Sequence, residues 1–456
     1  LITLCIYVQF GFTQSPPGIE WQRTIGGTGG DRAKKVIQTS DGGYLIGGES
    51  GSNIFADKTE ANIGGLDYWL VRLNSTGEIL WDKTIGGLAS DYFTCMAATP
   101  EGGFLIGGFT LSGVGGHKTE PSRGGYDCWI VKIDADGNIL WEKTIGGNLN
   151  DVFWSIAVSD SGDYILAGSS ESDISGEKTE PSNGWYDFWI VKIDSIGNIL
   201  WDKTIGGDDS DGIFHLQQVS LGGTLYAGGS FSEISGDKSE PNILRPDGLR
   251  TNDFWLVHLN EMNVITWQKT IGGNYHEYSE SFFEYSPQNY FLGGPSSSEI
   301  SALKTAPSFG LSDFWVVKWN NAESEIAFQA SFGGSEEDKL FKMIKTYENN
   351  FILCGHSLSH LSGNKTVPSY GYDDYWLIKT DSMGNEIWQL GLGGSSTDIA
   401  LDIQQTVDGG YVIAGYSGSG ISGIKTDPNI GSHDYWIIKL YPDEACPLQT
   451  WYADAD

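Results

Sequence analysis

One phrase returns along almost the whole chain. It reads WQRTIGG at Trp21, WDKTIGG at Trp81, WEKTIGG at Trp141, WDKTIGG at Trp201 and WQKTIGG at Trp267. Weaker copies stand at Phe328 (FQASFGG) and Trp388 (WQLGLGG). The steps between copies are 60 residues three times, then 66, 61 and 60. A period this long, filled with strand and turn signals, points to stacked or radial repeats of small sheets. Glycine is abundant, at 63 residues, but has no three-residue period, so collagen is excluded.

Each unit holds four strand-like segments, named A to D in chain order. In the second unit they are YFTCMAAT (92–99), FLIGGFT (104–110), YDCWIVKID (126–134) and NILWEKTI (138–145). β-Branched and aromatic residues dominate them, and Gly, Asp and Asn punctuate them as tight hairpins require. The D segment occurs seven times and the A-B-C set also occurs seven times, the last ending near Leu440. The chain therefore begins with an orphan D strand and ends with a set that lacks one. The expected fold is an all-β, seven-bladed propeller with four antiparallel strands per blade. Residues 20–26 would complete the blade built from 398–440, removing the edges of an open ring.

Most conspicuous residues then belong to the architecture. Trp69, Trp129, Trp189, Trp255, Trp315, Trp376 and Trp436 share one position of strand C, and six more Trp share one position of strand D. They are expected to fill the space between neighbouring sheets. Pairs such as Gly47-Gly48 are expected to permit close sheet approach. Trp154, Trp185 and Trp319 fall outside the repeated positions.

The net charge of −32 argues against nucleic acid and anionic membrane as partners, which demand a positive face. Cys95, Cys128, Cys354 and Cys446 are scattered, without disulfide-scaffold or zinc spacing. Residues 1–14 open with an apolar, uncharged run read as the remnant of a secretory signal peptide, and 15–19 as a linker. That run is too short to span a bilayer as a helix.

The pattern D-x-W-I-V-K-I-D-x-x-G-N-I-L-W-x-K-T-I-G-G-x-x-x-D, followed by D-G-G-Y-x-I-x-G, resembles the seven-bladed repeats of bacterial secreted and surface proteins. Similar repeats occur in proteins exported by the type IX secretion system. The resemblance spans 20–440 and implies a secreted or cell-surface location. Residues 441–456 read as a linker and the truncated start of an aspartate-rich repeat. The tail CPLQTWYADAD resembles the opening of a calcium-binding repeat, in which Asp454 and Asp456 would be the first oxygen ligands.

Candidate binding residues come from departures from the repeat. One strand A position is variable and mostly polar: Lys35, Cys95, Ser155, His215, Ser281, Lys342 and Asp402. The next position is always apolar, so alternation points the variable set at the central channel. Lys35, His215, Lys342 and Asp402 are the candidate ligand-binding set. The fourth unit carries an insertion (243–253) whose Arg245 and Arg250 are candidates for gripping a ligand or partner. Two features recur in every unit: a B–C loop lysine (Lys58 to Lys425) and an acid before strand A (Asp31 to Asp398). They read either as a charged collar or as loop-stabilising pairs. No G-x-S-x-G or H-E-x-x-H motif occurs, and no catalytic set is assigned.

The expected function is an extracellular binding or adhesion module, a monomeric propeller with a glycan or protein partner. Two alternatives stand beside it. One is a carbohydrate-active enzyme, an endoglucanase-like hydrolase or a lyase, using acids around the channel. The other is a spacer for further domains.

Overall fold

The computed structural model describes residues 14–159 and 161–443. The expected signal segment up to residue 13, Cys446, and the candidate calcium ligands Asp454 and Asp456 lie outside the described residues.

Twenty-eight strands form seven four-stranded antiparallel sheets. Six blades run in chain order, over 31–85, 91–145, 151–205, 211–271, 281–332 and 338–392. The seventh combines the strands of 398–440 with the first strand of the chain. Ile19–Ile25 lies antiparallel beside Asp434–Leu440, with Trp21 opposite Lys439 and Thr24 opposite Trp436. The ring is thus a closed seven-bladed propeller, shut by its N-terminal strand as the orphan D segment implies. In blade 2 the strands run Asp91–Ala98, Phe104–Thr110, Asp127–Ile133 and Ile139–Ile145.

Strand A is innermost. Each A strand packs against the A strands on either side, and Asp31–Gln38 meets Asp398–Gln405 where the ring closes. Strands B and C are buried on both faces because a neighbouring blade covers each one. Tyr44–Ser50 and Asp67–Leu73 are buried at every residue and read as nearly unbroken apolar runs. Strand D forms the outer edge, and the first residues of Ile79–Ile85 are exposed.

The core is divided into seven apolar clusters, each shared by two adjacent blades. Tyr68, Phe93, Ile106 and Trp129 join blades 1 and 2. Ile25, Ala33, Trp69 and Tyr435 join blades 7 and 1. Gly48 shows how tight this packing is. A Cβ there would lie 2.0 Å from the Arg32 carbonyl oxygen and 2.5 Å from the Tyr435 hydroxyl.

The repeated phrase has a common hydrogen-bonding role. In each blade the strand C indole N–H donates to the residue that follows the D strand aromatic. The pairs are Trp69 to Asp82 (3.0 Å), Trp129 to Glu142 (2.7 Å) and Trp376 to Gln389 (3.2 Å), for example. The same acceptor takes a loop backbone N–H, as Asp82 does from Thr59 over 3.1 Å.

The loop lysines are interior. Lys58, Lys118, Lys178, Lys238, Lys304, Lys365 and Lys425 are all buried. The Lys58 ammonium lies 5.1 Å from the Trp69 ring centroid and donates to the Thr84 hydroxyl. The acids before strand A are buried as well. Asp31 accepts from the Gly27 N–H (2.8 Å) and the Ser52 hydroxyl (2.9 Å), which fixes the turn from strand D. These two rows are therefore loop anchors rather than a collar.

Candidate functional site

The channel is lined by two tiers of strand A side chains, because strand A carries a β-bulge in most blades. Pairing slips between Ala33 and Lys35, Phe93 and Cys95, Phe153 and Ser155, Ile213 and His215, Leu340 and Lys342, and Ala400 and Asp402. A bulge leaves one residue unpaired and turns it. The skipped residue therefore joins its successor on the channel side. Lys34, Trp154, Phe214, Glu280 and Phe341 form an upper tier, around a cavity of about 210 Å³ that also reaches Lys35 and His215.

The lower tier holds the four channel residues expected from the sequence. Lys35, His215, Lys342 and Asp402 line a single cavity of about 180 Å³. Lys342 Nζ lies 3.5 Å from His215 Nε2. Burial, with Lys342 and Lys35 nearby, holds the His215 imidazole well below its ordinary pKa. Burial also lowers Lys342, against the pull of Asp402. Asp402 accepts a hydrogen bond from the Val36 N–H (2.9 Å) and so ties blade 7 to blade 1.

The two insertion arginines sit elsewhere. Arg250 pairs with Asp208 (2.8 Å) and Asp209 (3.2 Å). Arg245 pairs with Asp247 (3.0 Å) and lies 5.3 Å from the Tyr275 ring centroid. Both fasten the insertion to the loop face and neither lines the channel cavities. Of the three unassigned tryptophans, Trp319 is buried with Lys269 over its ring, and Trp185 is 71% exposed on a B–C loop. Trp154 is half-buried in the upper tier.

Above that tier, on the face carrying the B–C and D–A loops, opens a cleft of about 460 Å³. Its walls are Tyr92, Phe109 and Tyr126 of blade 2, Trp154 and Tyr186 of blade 3, Phe214 and Phe231 of blade 4, and Tyr278 of blade 5. Tyr92 stacks on Phe109 with centroids 4.8 Å apart, and Phe109 meets Tyr126 edge-on at 5.2 Å. Phe109 to Trp154 (5.9 Å) and Trp154 to Phe214 (6.0 Å) carry the row across three blades. Blades 6 and 1 present polar groups instead, largely paired among themselves, and blade 7 presents Ile399 and Tyr416. Lys34 bonds Glu49 (2.7 Å), Lys339 meets Glu337 (2.8 Å) and His356 meets Asp373 (2.7 Å). Burial pushes Glu280, between the two halves, up to about 7 despite the opposing pull of Lys35 and Lys339.

Sequence reasoning missed this cleft. Its signal was the strand A column Arg32, Tyr92, Val152, Gly212, Tyr278, Lys339, Ile399 and the strand B column Glu49, Phe109, Ser169, Gly229, Pro295, His356, Tyr416. Both columns vary while their neighbours repeat. Another repeated feature marks the same face: Ile54, Val114, Ile174, Ile234, Ile300, Leu361 and Ile421 hold one B–C loop position in each blade and are 59% to 68% exposed. Among the described residues no group of three or more His, Cys, Asp or Glu is placed to hold a metal ion. No helix there is long and apolar enough to cross a membrane.

No protein-family profile matches the chain. A curated relative, the regulatory protein FlaEY of Caulobacter vibrioides, is 26% identical over 248 residues, which cover 50% of this chain. The match spans about a quarter of the length of that relative (25%). Among solved structures, Kuenenia stuttgartiensis hydrazine synthase aligns with a TM-score of 0.49 at 9% identity, covering 84% of this chain and 92% of that one. The Neurospora crassa Pan2 WD40 domain aligns at 0.45 and 10% identity, covering 89% and 88%. The Dos1 propeller aligns at 0.39 and 11% identity, covering 91% and 94%. Likenesses this distant carry nothing about activity. The rigid ring, with long loops gathered on one face, suits a binding or interaction module.

Proposed function

We propose that the protein is an exported binding module that takes a glycan in the aromatic cleft at the channel mouth. The observation that carries this reading is the gathering of eight aromatic side chains from four blades around one 460 Å³ opening. Buried aromatics need no such opening, and the propeller's own packing is complete without these rings. Tyr and Trp offer broad apolar faces for the C–H faces of sugars, with O–H and N–H groups for sugar hydroxyls. Export is supported by the apolar opening of the chain and by the surface-protein character of the repeat.

The test is a glycan array followed by calorimetry, with Trp154→Ala and Phe214→Ala as variants. Binding to one glycan class, weakened at least tenfold by either variant while melting is little changed, is expected. Binding that ignores both substitutions, or no binding to any glycan, overturns the reading.

A further inference from the structure

We infer that the glycan is anionic: an acidic oligosaccharide whose carboxylate is received by Lys35 and Lys342 inside the channel. This rests on the cleft being the glycan site. Three observations lead from one to the other.

The first is continuity. Trp154 and Phe214 wall both the aromatic cleft and the upper channel cavity. Lys35 and His215 line both the upper and the lower cavity. A sugar lying on the aromatic wall would therefore adjoin the channel that holds the lysines.

The second is uncompensated charge. The loop lysines are anchored, and Lys34 and Lys339 are paired with Glu49 and Glu337. Lys35 has neither a hydrogen bond nor an ion pair among the described residues. Among the described residues the one hydrogen-bond contact of Lys342 is with His215, itself a poor counter-charge. Two acids face this space: Asp402, which accepts from the Val36 N–H and draws on Lys342, and Glu280, which burial pushes up to about 7. A protein of net charge −32 thus gathers two lysines in one small cavity whose wall offers a single carboxylate, Asp402. Like charges held together out of water are costly, and an arriving anion offsets that cost.

The third is size and polarity. The lower cavity, at about 180 Å³, admits one small group rather than a chain of phosphates. A carboxylate would accept charge-assisted hydrogen bonds from both ammonium groups. The apolar cleft above suits the ring that bears it.

The experiment is calorimetry with three probes: trigalacturonate, its neutral methyl ester and a sulfated trisaccharide. Each is titrated into the wild type, the Lys35→Gln/Lys342→Gln double variant and Trp154→Ala. The acid is expected to bind about tenfold more tightly than its ester to the wild type, with that preference lost in the double variant. Trp154→Ala should weaken acid and ester alike. The ligand-free double variant should melt close to the wild type, because the Lys35–Lys342 repulsion is removed together with the attraction of Lys342 to Asp402. Equal binding of acid and ester, or a preference that survives in the double variant, overturns the inference and leaves the cleft reading standing. Tighter binding of the sulfated probe than of the uronate overturns the carboxylate assignment. Failure of every probe overturns the inference and leaves the cleft reading to the glycan array, whereas binding indifferent to Trp154→Ala overturns the cleft reading as well.

Discussion

The indole N–H of Trp436 donates to the side-chain oxygen of Gln22 over 3.0 Å, although the two are 414 positions apart in the chain. The same bond joins strands C and D of every other blade within about a dozen residues, as from Trp69 to Asp82. Closure of the ring thus reuses a contact that every blade makes locally. Gln22→Ala leaves that buried N–H without its acceptor and should cost about 1–3 kcal/mol. Removal of residues up to Ile25 should cost far more, because it bares the long strand Asp434–Leu440. Calorimetric melting and light scattering check both outcomes: a modest fall in Tm for the first, aggregation for the second.

Tryptophans of the two kinds should separate cleanly. Trp189 is fully buried between blades, and Trp189→Ala should lose about 3–5 kcal/mol of stability. Trp154 is half-buried on the cleft wall, and Trp154→Ala should cost no more than about 1 kcal/mol while weakening glycan binding. Denaturant melts paired with binding titrations distinguish the two.

The reason for that contrast also explains what could be read in advance. The period and the strand C tryptophans were legible because each is stated seven times in the sequence, and the closure because the D segments start one element ahead of the A-B-C sets. The lower channel tier was legible because strand A alternates, and Lys35, His215, Lys342 and Asp402 do meet in one cavity. The upper tier was not. A bulge adds one residue to a strand without a local signature, so Trp154 stood out only as a tryptophan outside the repeat and Phe214 not at all. The cleft was hidden for another reason: Tyr92, Trp154, Phe214 and Tyr278 come from four repeats and become neighbours only when the ring is built. Arg245 and Arg250 stood out by rarity, yet they pair with acids of the loop face, Arg245 with Asp247 in the same insertion and Arg250 with Asp208 and Asp209.

Stability should fall as pH rises from about 5 to 7.5. Burial raises Asp91, Asp211 and Asp434 to about 6 and Asp187 to about 7, from an ordinary 3.8. Between those limits the folded chain holds protons that the unfolded chain has released. The stability these groups contribute is full below their unfolded pKa and lost as pH rises through 6 to 7. His215, His258, His276 and His433, lowered by burial, act in the opposite sense but are fewer than the raised carboxyls. Asp41, held down at about 2 by Thr39 and Arg72, acts only at lower pH. Melting temperatures at pH 5 and pH 7.5 test this, with a higher Tm at pH 5 expected.

A loop lysine should matter for folding and not for binding. Lys178 donates to the Thr204 hydroxyl and lies 5.5 Å from the Trp189 ring centroid. Lys178→Met should lower stability by about 1–3 kcal/mol while the glycan Kd stays unchanged. A Kd that moved with it would mean that the loop anchors shape the cleft.

The exposed aliphatic row should contribute nothing to the fold. Replacing Ile174, Ile234 and Ile300 with Ser should change stability by less than about 0.5 kcal/mol at each site. Retention on a hydrophobic-interaction column should drop, because the three side chains are 62% to 65% exposed.

Ile19 faces Leu440, and the Tyr441 N–H reaches the Gly18 carbonyl over 3.0 Å, so the chain enters and leaves the disc at one corner. Tension drawn through the residues flanking that corner meets the ladder end-on. Its rungs then part singly, like a zip, instead of resisting together as they would in shear. Blade 7 is the element that yields first under load, while the six blades made of contiguous chain remain shut.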